Sequence, residues 1–176
     1  MRRVFLIFLS ALILLLSACS TGGKRLSTED LSLAFSCRAR VSCRGDDYLC
    51  SFIRTGPASA SLEILSGNGA GLKYMWVGDG FTETYRGLSA QSGACILPDG
   101  AFPRLLKEAI DCAAKPDALM AEGANSFSGV VRGSLFHLEA DGNTGMPINL
   151  SVPDWEMEAV FSDCAEPAVA EASAFQ

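Results

Sequence analysis

Apolar and polar residues alternate strictly between residues 33 and 43 of the chain. Leucine, phenylalanine, cysteine, alanine and valine occupy one side of this segment, and serines and arginines occupy most of the other. A period of two is typical of a β-strand that buries one face. Gly45-Asp46-Asp47 then predicts a turn, and residues 48–54 form its hairpin partner. The folded part of the chain is therefore expected to begin with an antiparallel hairpin.

Seven more segments have strand character, which brings the predicted total to about nine antiparallel strands. These segments are 59–65, 72–77, 81–85, 127–132, 135–141, 147–152 and 155–162. The glycine-rich sequences at 78–80 and 141–145 contain the residues that hairpin turns require. In the last predicted strand, Trp155, Met157, Ala159 and Phe161 share one face.

The period changes between residues 102 and 114, where apolar residues recur every three or four positions. They are Phe102, Leu105, Leu106, Ala109, Ile110 and Ala113, and they predict one stripe along a helix. Pro103 suits the first turn, and Lys115-Pro116 ends the helix. No repeat of strand and helix predicts a parallel sheet. The expected fold class is mainly β with one amphipathic helix, as a curved antiparallel sheet or half-barrel.

The N-terminal segment has a different pattern. Arg2 and Arg3 precede an apolar run at 4–16, and Leu16-Ser17-Ala18-Cys19 follows it. The run has thirteen residues, whereas a spanning helix needs about twenty, so it indicates a secretory signal peptide. The tetrapeptide resembles the lipobox of bacterial lipoproteins, which implies a diacylglyceryl group on Cys19 and cleavage before it. Plain signal cleavage and an uncleaved anchor are the alternatives.

The predicted division of the chain follows from this signal. Residues 1–18 are the lipoprotein signal peptide, 19–26 a lipidated tether, 27–164 the folded domain and 165–176 a flexible tail. Loss of the signal peptide removes two arginines and no acidic residue, so the net charge changes from −6 to −8. An acidic protein lacks the basic face that nucleic acids and anionic headgroups attract. Membrane attachment is therefore expected from the lipid alone, on the extracytoplasmic face of the cell membrane.

Six further cysteines would belong to an extracytoplasmic protein: Cys37, Cys43, Cys50, Cys95, Cys112 and Cys164. They allow up to three disulfides, and six buried thiols are the alternative. Cys43 and Cys50 flank the first predicted turn, which makes them a candidate disulfide pair. The cysteines lack the Cys-x-x-Cys spacing of zinc sites, so no metal site is predicted.

His137 is the single histidine of the sequence. It shares a strand face with Glu139, opposite Phe136 and Leu138, which favours a solvent-facing residue over a general base. A nucleophile motif of the Gly-x-Ser-x-Gly type does not occur. The sequence therefore predicts a protein that is not an enzyme, without catalytic residues and without a cofactor.

Large apolar side chains make up the expected interior. They are Phe35, Phe52, Leu62, Ile64, Tyr74, Trp76, Phe81, Leu105, Leu106, Ile110, Phe136, Leu138, Ile148, Leu150, Trp155, Met157 and Phe161. An ordinary core is one interpretation, and a cleft left open by an incompletely closed half-barrel is the other. Tyr74, Trp76 and Phe81 are the candidates for the lining of such a cleft, because they are large and lie beside a predicted hairpin.

The order of these features resembles a known family, the lipoproteins with the fold of the outer-membrane lipoprotein carrier LolA and receptor LolB. The resemblance rests on the lipobox, the early hairpin, four short sequences, the helix and the final run of hairpins. The short sequences are residues 70–76 followed by Tyr85-Arg86-Gly87-Leu88, then Leu97-Pro98, then residues 102–106. The layout is especially similar to the LolA-like lipoproteins of spore-forming Gram-positive bacteria, which include the germination lipoprotein GerS. Two features differ from the carrier, which is soluble and has a long N-terminal helix for which residues 19–33 leave little room.

Two functions follow from the resemblance as expectations. The first is a non-enzymatic, membrane-anchored protein that binds a lipid or lipoprotein acyl group in the concave face of a half-barrel. The second is a protein-interaction or regulatory lipoprotein, GerS-like and dimeric, that docks onto a cell-envelope or spore-cortex enzyme. The expected partners are therefore the membrane, through the lipid, and either an apolar ligand or an envelope protein.

The predicted anchor can be tested by Cys19→Ser. We expect this change to release the protein from the membrane fraction with its fold intact, because the lipid is the expected attachment. Fractionation and circular dichroism measure the two effects. A variant that stays on the membrane would mean that the domain itself binds lipid or a membrane protein.

Overall fold

The computed structural model describes residues 25–168, which form one curved, open antiparallel sheet of eleven strands with one α-helix against it. The elements are β1 (Phe35–Cys43), β2 (Asp46–Gly56), β3 (Ser59–Ser66), β4 (Leu72–Val77), β5 (Gly80–Tyr85), β6 (Leu88–Ser92), α1 (Phe102–Ala113), β7 (Met120–Ala121), β8 (Ser126–Val131), β9 (Ser134–Ala140), β10 (Pro147–Val152) and β11 (Met157–Ala165). Short 3₁₀ turns lie at Thr28–Asp30 and Pro153–Trp155.

The strand order explains how the helix comes to lie on the sheet. Across the sheet the order is β6-β5-β4-β3-β2-β1-β11-β10-β9-β8-β7. The chain first runs outward from β1 to the margin at β6, then crosses through α1 to the other margin at β7. It returns strand by strand until β11 pairs with β1. The helix is therefore the connection between the two margins.

Three of the hairpins turn on the same dipeptide, arginine followed by glycine. The pairs are Arg44-Gly45, Arg86-Gly87 and Arg132-Gly133, with φ near +50° at each arginine and near +80° at each glycine. Two successive left-handed residues give the type I′ turn, whose twist matches that of the adjoining strands. The arginines accept a conformation that L-residues rarely adopt, because the strand pairing on both sides fixes the turn.

The concave face of the sheet and one face of α1 bury each other. Leu105, Leu106, Ala109 and Ile110 of the helix are fully buried, and Phe102 and Ala113 nearly so. The sheet contributes alternate positions of its strands, including Phe35, Phe52, Leu62, Phe127, Phe136, Leu138 and Leu150, all without exposed surface. The predicted helix and its apolar stripe are thus confirmed.

A buried ion pair fixes the helix to the sheet. Arg54 of β2 points to the concave side with 2% of its side chain exposed, and its Nε donates to Asp111 Oδ1 on α1 at 2.9 Å. The other oxygen of Asp111 pairs with Lys107 Nζ at 2.6 Å, and Arg54 Nη1 donates to the carbonyl of Leu33. A charge is buried at low cost only when it is paired and hydrogen-bonded, so the pair with Asp111 fixes the C-terminal half of α1 beside the end of β2.

A second ionic cluster holds the other side of α1. Glu108 accepts hydrogen bonds from Arg104, one turn earlier, and from Arg132 in the β8–β9 turn. Arg132 and Arg104 also pair with Asp99, at 2.6 and 3.0 Å. Burial alone would raise the pKa of Glu108, but the hydrogen bonds from the two arginines outweigh it and hold that pKa below its usual value.

The structure corrects the predicted number of strands from about nine to eleven. The two additional strands are β6 and β7. Strand β6 has little apolar character and mostly exposed side chains, and β7 has two residues, so neither gives a period-two signal. Two predicted core positions also differ: Trp155 lies half-buried in a 3₁₀ turn before β11, and Ile148 is 42% exposed.

The ends of the described chain are more tightly bound to the domain than expected. Leu26 is buried and its amide donates to the carbonyl of Ala124, and the amide of Ser32 donates to Gly145. Strand β11 continues to Ala165, where the tail was expected to begin. The predicted signal peptide and Cys19 lie outside the described residues.

Among residues 25–168, no helix has the length and apolar character needed to cross a lipid bilayer.

The Arg54–Asp111 pair can be tested by Asp111→Ala. We expect the free energy of unfolding in urea to fall by about 3–5 kcal/mol, because Arg54 is left buried without a counter-charge. Lys107→Met is the control, since it keeps the pair and removes a more exposed partner, and it should cost about 1 kcal/mol. Equal losses in the two variants would contradict a dominant role for the buried pair.

The Glu108 cluster predicts a pH dependence. A carboxyl whose pKa is lowered by folding stabilises the protein above its unfolded-state pKa, and the contribution disappears as pH falls through the folded pKa. Because the unfolded value is 4.5, we expect stability to fall steeply below it in the wild type and less steeply in Glu108→Gln. Thermal unfolding between neutral and acidic pH measures this slope. Glu63→Gln, which removes an exposed carboxyl of β3 outside this cluster, is the control, and an equal change of slope in the two variants would contradict the role of the cluster.

Candidate functional site

A cleft of about 390 Å³ opens at the end of the sheet where β1 turns into β2. Four segments that are distant in sequence form its walls: the β1–β2 hairpin, β3 with the loop after it, β4, and the start of α1. The lining residues are Cys43, Arg44, Asp46, Tyr48, Ile64, Asn68, Gly69, Leu72, Tyr74, Gly100, Ala101, Phe102 and Pro103. The helix that fills the concave face thus also bounds the cleft.

Three aromatic rings distinguish this cleft. Tyr48 and Phe102 contact each other face to face with a tilt of 33° and a centroid distance of 4.4 Å, which joins the hairpin to the first turn of α1. Tyr74 of β4 forms a further part of the wall, and burial raises its pKa to about 12. Burial also raises the pKa of Tyr48. Both phenols are therefore neutral at physiological pH, and the wall is uncharged where the rings lie.

Two glycines are required by the close packing around the cleft. Gly69 has a φ of +82°, and a Cβ there would lie 2.8 Å from Leu72 Cδ1. At Gly100 a Cβ would lie 2.5 Å from the ring of Trp155 and 2.7 Å from Arg44 Nη2. A side chain at position 100 would therefore collide with the Trp155 ring, so the loop before α1 can pass this close only as glycine.

The polar part of the lining lies on the β1–β2 hairpin and the loop after β3. Arg44 places its guanidinium carbon 5.2 Å from the centroid of Trp155, within the range of a cation–π contact. The indole nitrogen of Trp155 donates to Ser134 Oγ at 3.1 Å, which fixes the ring that Arg44 covers. Asp46 and Asn68 complete this polar part. The cleft therefore combines an apolar wall with a polar part that carries one cation, Arg44, and one carboxylate, Asp46.

Two other clefts, of about 350 and 390 Å³, lie beside the C-terminal half of α1. One is formed by residues 28–33 and 113–117, and the other includes Glu108, Asp111, Lys115 and Arg132. Neither has an aromatic ring among the described residues that line it. The cleft beside Arg44 is therefore the candidate site for an apolar ligand.

The structure separates the three residues that the sequence suggested as ligand-lining. Tyr74 lines the cleft. Trp76 and Phe81 are cross-strand neighbours on β4 and β5 with centroids 5.6 Å apart, and they are 4% and 2% exposed. Both are packed in the core and lie outside the lining of this cleft.

The strand register corrects the expected Cys43–Cys50 pair. Cys43 stands opposite Asp46, and Cys50 stands opposite Ala39. Four residue steps of about 3.4 Å therefore separate the two positions along the hairpin, whereas a disulfide needs Cα atoms within about 7 Å. The predicted turn was Gly45-Asp46-Asp47, whereas the structure turns at the two residues Arg44-Gly45. This shorter turn pairs Cys43 with Asp46, the third residue after it. Cys43 instead lines the cleft as a thiol whose pKa is raised by burial.

His137 lies on β9, on the face of the sheet that points away from α1. Its side chain is 40% exposed and its Nδ1 lies 3.1 Å from Glu122 Oε2. Ser128 stands opposite it on β8 and is fully buried. Among residues 25–168 no cluster of three His, Cys, Asp or Glu side chains has the geometry of a metal site.

Sequence reasoning missed Arg44, Tyr48 and Phe102 as cleft residues. Phe102 was assigned to the helix stripe and Tyr48 to the second strand, and both assignments are consistent with the structure. The recurring Arg-Gly dipeptide is a local signal that would have identified the turn at Arg44. The contact between the rings of Tyr48 and Phe102 leaves no signal in the local sequence pattern, because 53 residues lie between them.

Comparison with known proteins gives a single kind of likeness. No family model and no curated protein matches the sequence. The structure is similar to the crystal structure of a LolA superfamily protein from Nitrosomonas europaea, with a TM-score of 0.40 and 9% sequence identity over 81% of this chain and 90% of that chain. What this chain binds must therefore be inferred from its own cleft and contacts.

Proposed function

We propose that the protein is a membrane-anchored, extracytoplasmic lipoprotein that binds the acyl chain of a lipid or lipoprotein and catalyses no reaction. The observation that carries the proposal is the cleft beside Arg44, whose aromatic wall adjoins a polar part formed by Arg44, Asp46 and Asn68. The proposal assigns the acyl chain to the edge of the concave face, where α1 begins.

The size and the chemistry of the cleft suit an amphiphile. Its volume of about 390 Å³ lies within the range of small-molecule sites. Ile64, Leu72 and the rings of Tyr74 and Phe102 offer apolar surface to a hydrocarbon chain. The guanidinium of Arg44 offers hydrogen-bond donors and positive charge to a carboxylate or phosphate group. An acyl chain with an anionic head uses both parts of the lining.

The cleft lies at the end of the domain opposite the predicted anchor, which suits a protein whose ligand site faces away from the tether. Residues 26–32 lead into the sheet at the Phe35 end of β1, and the cleft lies at the Cys43 end of the same strand. A nine-residue strand is about 30 Å long. A tether on Cys19 would therefore join the domain at the end remote from the cleft.

A second candidate function is the GerS-like one, a regulatory lipoprotein that docks onto an envelope protein or dimerises. The observation in its favour is that α1 and large side chains fill the concave face, which leaves a modest cleft rather than an open groove. Leu88, 77% exposed on the marginal strand β6, offers apolar surface to a protein partner. The two candidates differ in whether a lipid accompanies the protein.

Lipid binding can be tested on the Cys19→Ser protein, which lacks acyl chains of its own. We expect native mass spectrometry to detect a co-purifying lipid, and Leu72→Asp to weaken binding of a fluorescent long-chain fatty acid at least about tenfold, because a carboxylate enters the apolar wall. Leu65→Asp, on the opposite face of the sheet, is the matched control and should bind as the wild type does.

Other outcomes favour the second candidate. A protein that carries no lipid, binds the fatty acid weakly and equally in all three forms, and elutes as a dimer in light scattering would contradict acyl binding. Equal thermal stability of the Leu72→Asp and Leu65→Asp variants excludes unfolding as the reason for lost binding.

A further inference from the structure

Strand β11 contains a bulge opposite Cys37. Ser36 of β1 pairs with Ala165 and Arg38 pairs with Ser162, so a single residue on β1 faces two on β11, Asp163 and Cys164. A two-against-one arrangement is a β-bulge, which redirects the side chains that follow it. Here the bulge determines which β11 residue faces Cys37.

The alternation along β11 identifies that residue. Met157, Ala159 and Phe161 face the concave side, so without a bulge Asp163 would come next on that side. Asp163 instead has a φ of +54° and is exposed, and the half-buried Cys164 takes the inward position. A left-handed conformation is uncommon for a residue other than glycine, and at Asp163 it serves to bring Cys164 to the side of Cys37.

The two cysteines face each other across the pair of strands, because the bulge places Cys164 beside the position opposite Cys37. Cys164 Sγ lies 3.5 Å from the carbonyl oxygen of Pro147 on β10. The interaction with Cys37 lowers the pKa of Cys164, and the same interaction, with burial, raises that of Cys37. Cys164 is thus the more reactive of the two, and it is also the more exposed, since Cys37 is 6% exposed.

We propose that Cys37 and Cys164 form a disulfide that joins β1 to β11 in the exported protein. The inference rests on the proposed extracytoplasmic location, where a disulfide-bearing protein or small disulfide serves as oxidant. The Cys164 thiolate attacks one sulfur of the oxidant and releases its first thiol. Cys37 then attacks Cys164 Sγ, releases the second thiol and gives up its proton to it. Two thiols are oxidised, and one disulfide is reduced to two thiols.

The other described cysteines are less suited to a bridge with Cys37. Cys50 lies on the next strand opposite Ala39, a diagonal position whose Cα is about 7–8 Å away. Cys112 lies on α1 and not on a strand that pairs with β1. The Cys37–Cys164 bridge would close almost the whole domain into one loop, across the strand pair that joins the first and last strands of the fold. A loop of this length gives a large entropic stabilisation in the chain-entropy model.

The test uses the full chain expressed with its own signal sequence. Free thiols are alkylated at lysis, and the membrane fraction is digested without reductant for peptide mapping by mass spectrometry. We expect a linked peptide pair that contains Cys37 and Cys164. Free, alkylated Cys37 and Cys164 in membrane-bound protein, or a link from Cys37 to Cys50, would overturn the proposal.

A parallel experiment separates this proposal from the export on which it depends. The purified, reduced protein is incubated with oxidised glutathione and mapped in the same way. If export fails, the cellular protein is reduced and absent from the membrane, but the glutathione-treated protein still forms the 37–164 link. If the link forms in neither experiment although the protein is on the membrane, the disulfide proposal alone is wrong.

The stability of the oxidised protein gives an independent measure. We expect reduction, or Cys164→Ser, to lower Tm by about 5–10 °C. Cys112→Ser is the control and should leave both the link and its effect on Tm intact. Equal Tm values for the oxidised wild type and its reduced form would contradict a bridge that closes the domain.

Discussion

The concave face of the sheet is an apolar surface that must be removed from water, and α1 is the element that removes it. The helix can do so because the chain has to cross from the β6 margin to the β7 margin, and its path lies over the concavity. Burial of Leu105, Leu106 and Ile110 against the sheet supplies the main stabilisation. The Arg54–Asp111 pair then selects one orientation of the helix, because a shifted helix would leave a buried guanidinium without its carboxylate.

The same constraint decides where a ligand has room. The helix occupies the space that an open half-barrel would offer along its concave face, so the aromatic-lined cleft lies at the edge, where the first turn of α1 meets the β1–β2 hairpin. The ionic cluster around Glu108 holds the helix close to this edge. The shape of the cleft and the position of the helix are therefore linked in this fold, since Phe102 belongs both to the helix and to the wall of the cleft.

Register, rather than composition, decides what the cysteines can do. In a hairpin the turn length fixes every cross-strand pair, and the Arg44-Gly45 turn carries Cys50 four positions beyond the partner of Cys43. On the other side of β1 a single additional residue in β11 brings Cys164 opposite Cys37, although 126 residues lie between them. Neither relation is visible in the spacing of cysteines along the chain.

The sequence by itself determined the local elements. The alternation at 33–43, the stripe at 102–113 and the glycine turn at 78–80 predicted a strand, a helix and a hairpin that the structure contains, because each depends on residues a few positions apart. The tertiary structure alone decided that β6 and β7 are strands, that Trp76 and Phe81 pack in the core and do not line a cleft, and that Tyr48, Tyr74 and Phe102 share one cleft. The physical reason is that contacts between distant segments decide the pairing register, the bulges and the path of the crossing helix. A local hydrophobic period shows that a segment is a strand or a helix, but it does not show which distant segment packs against it.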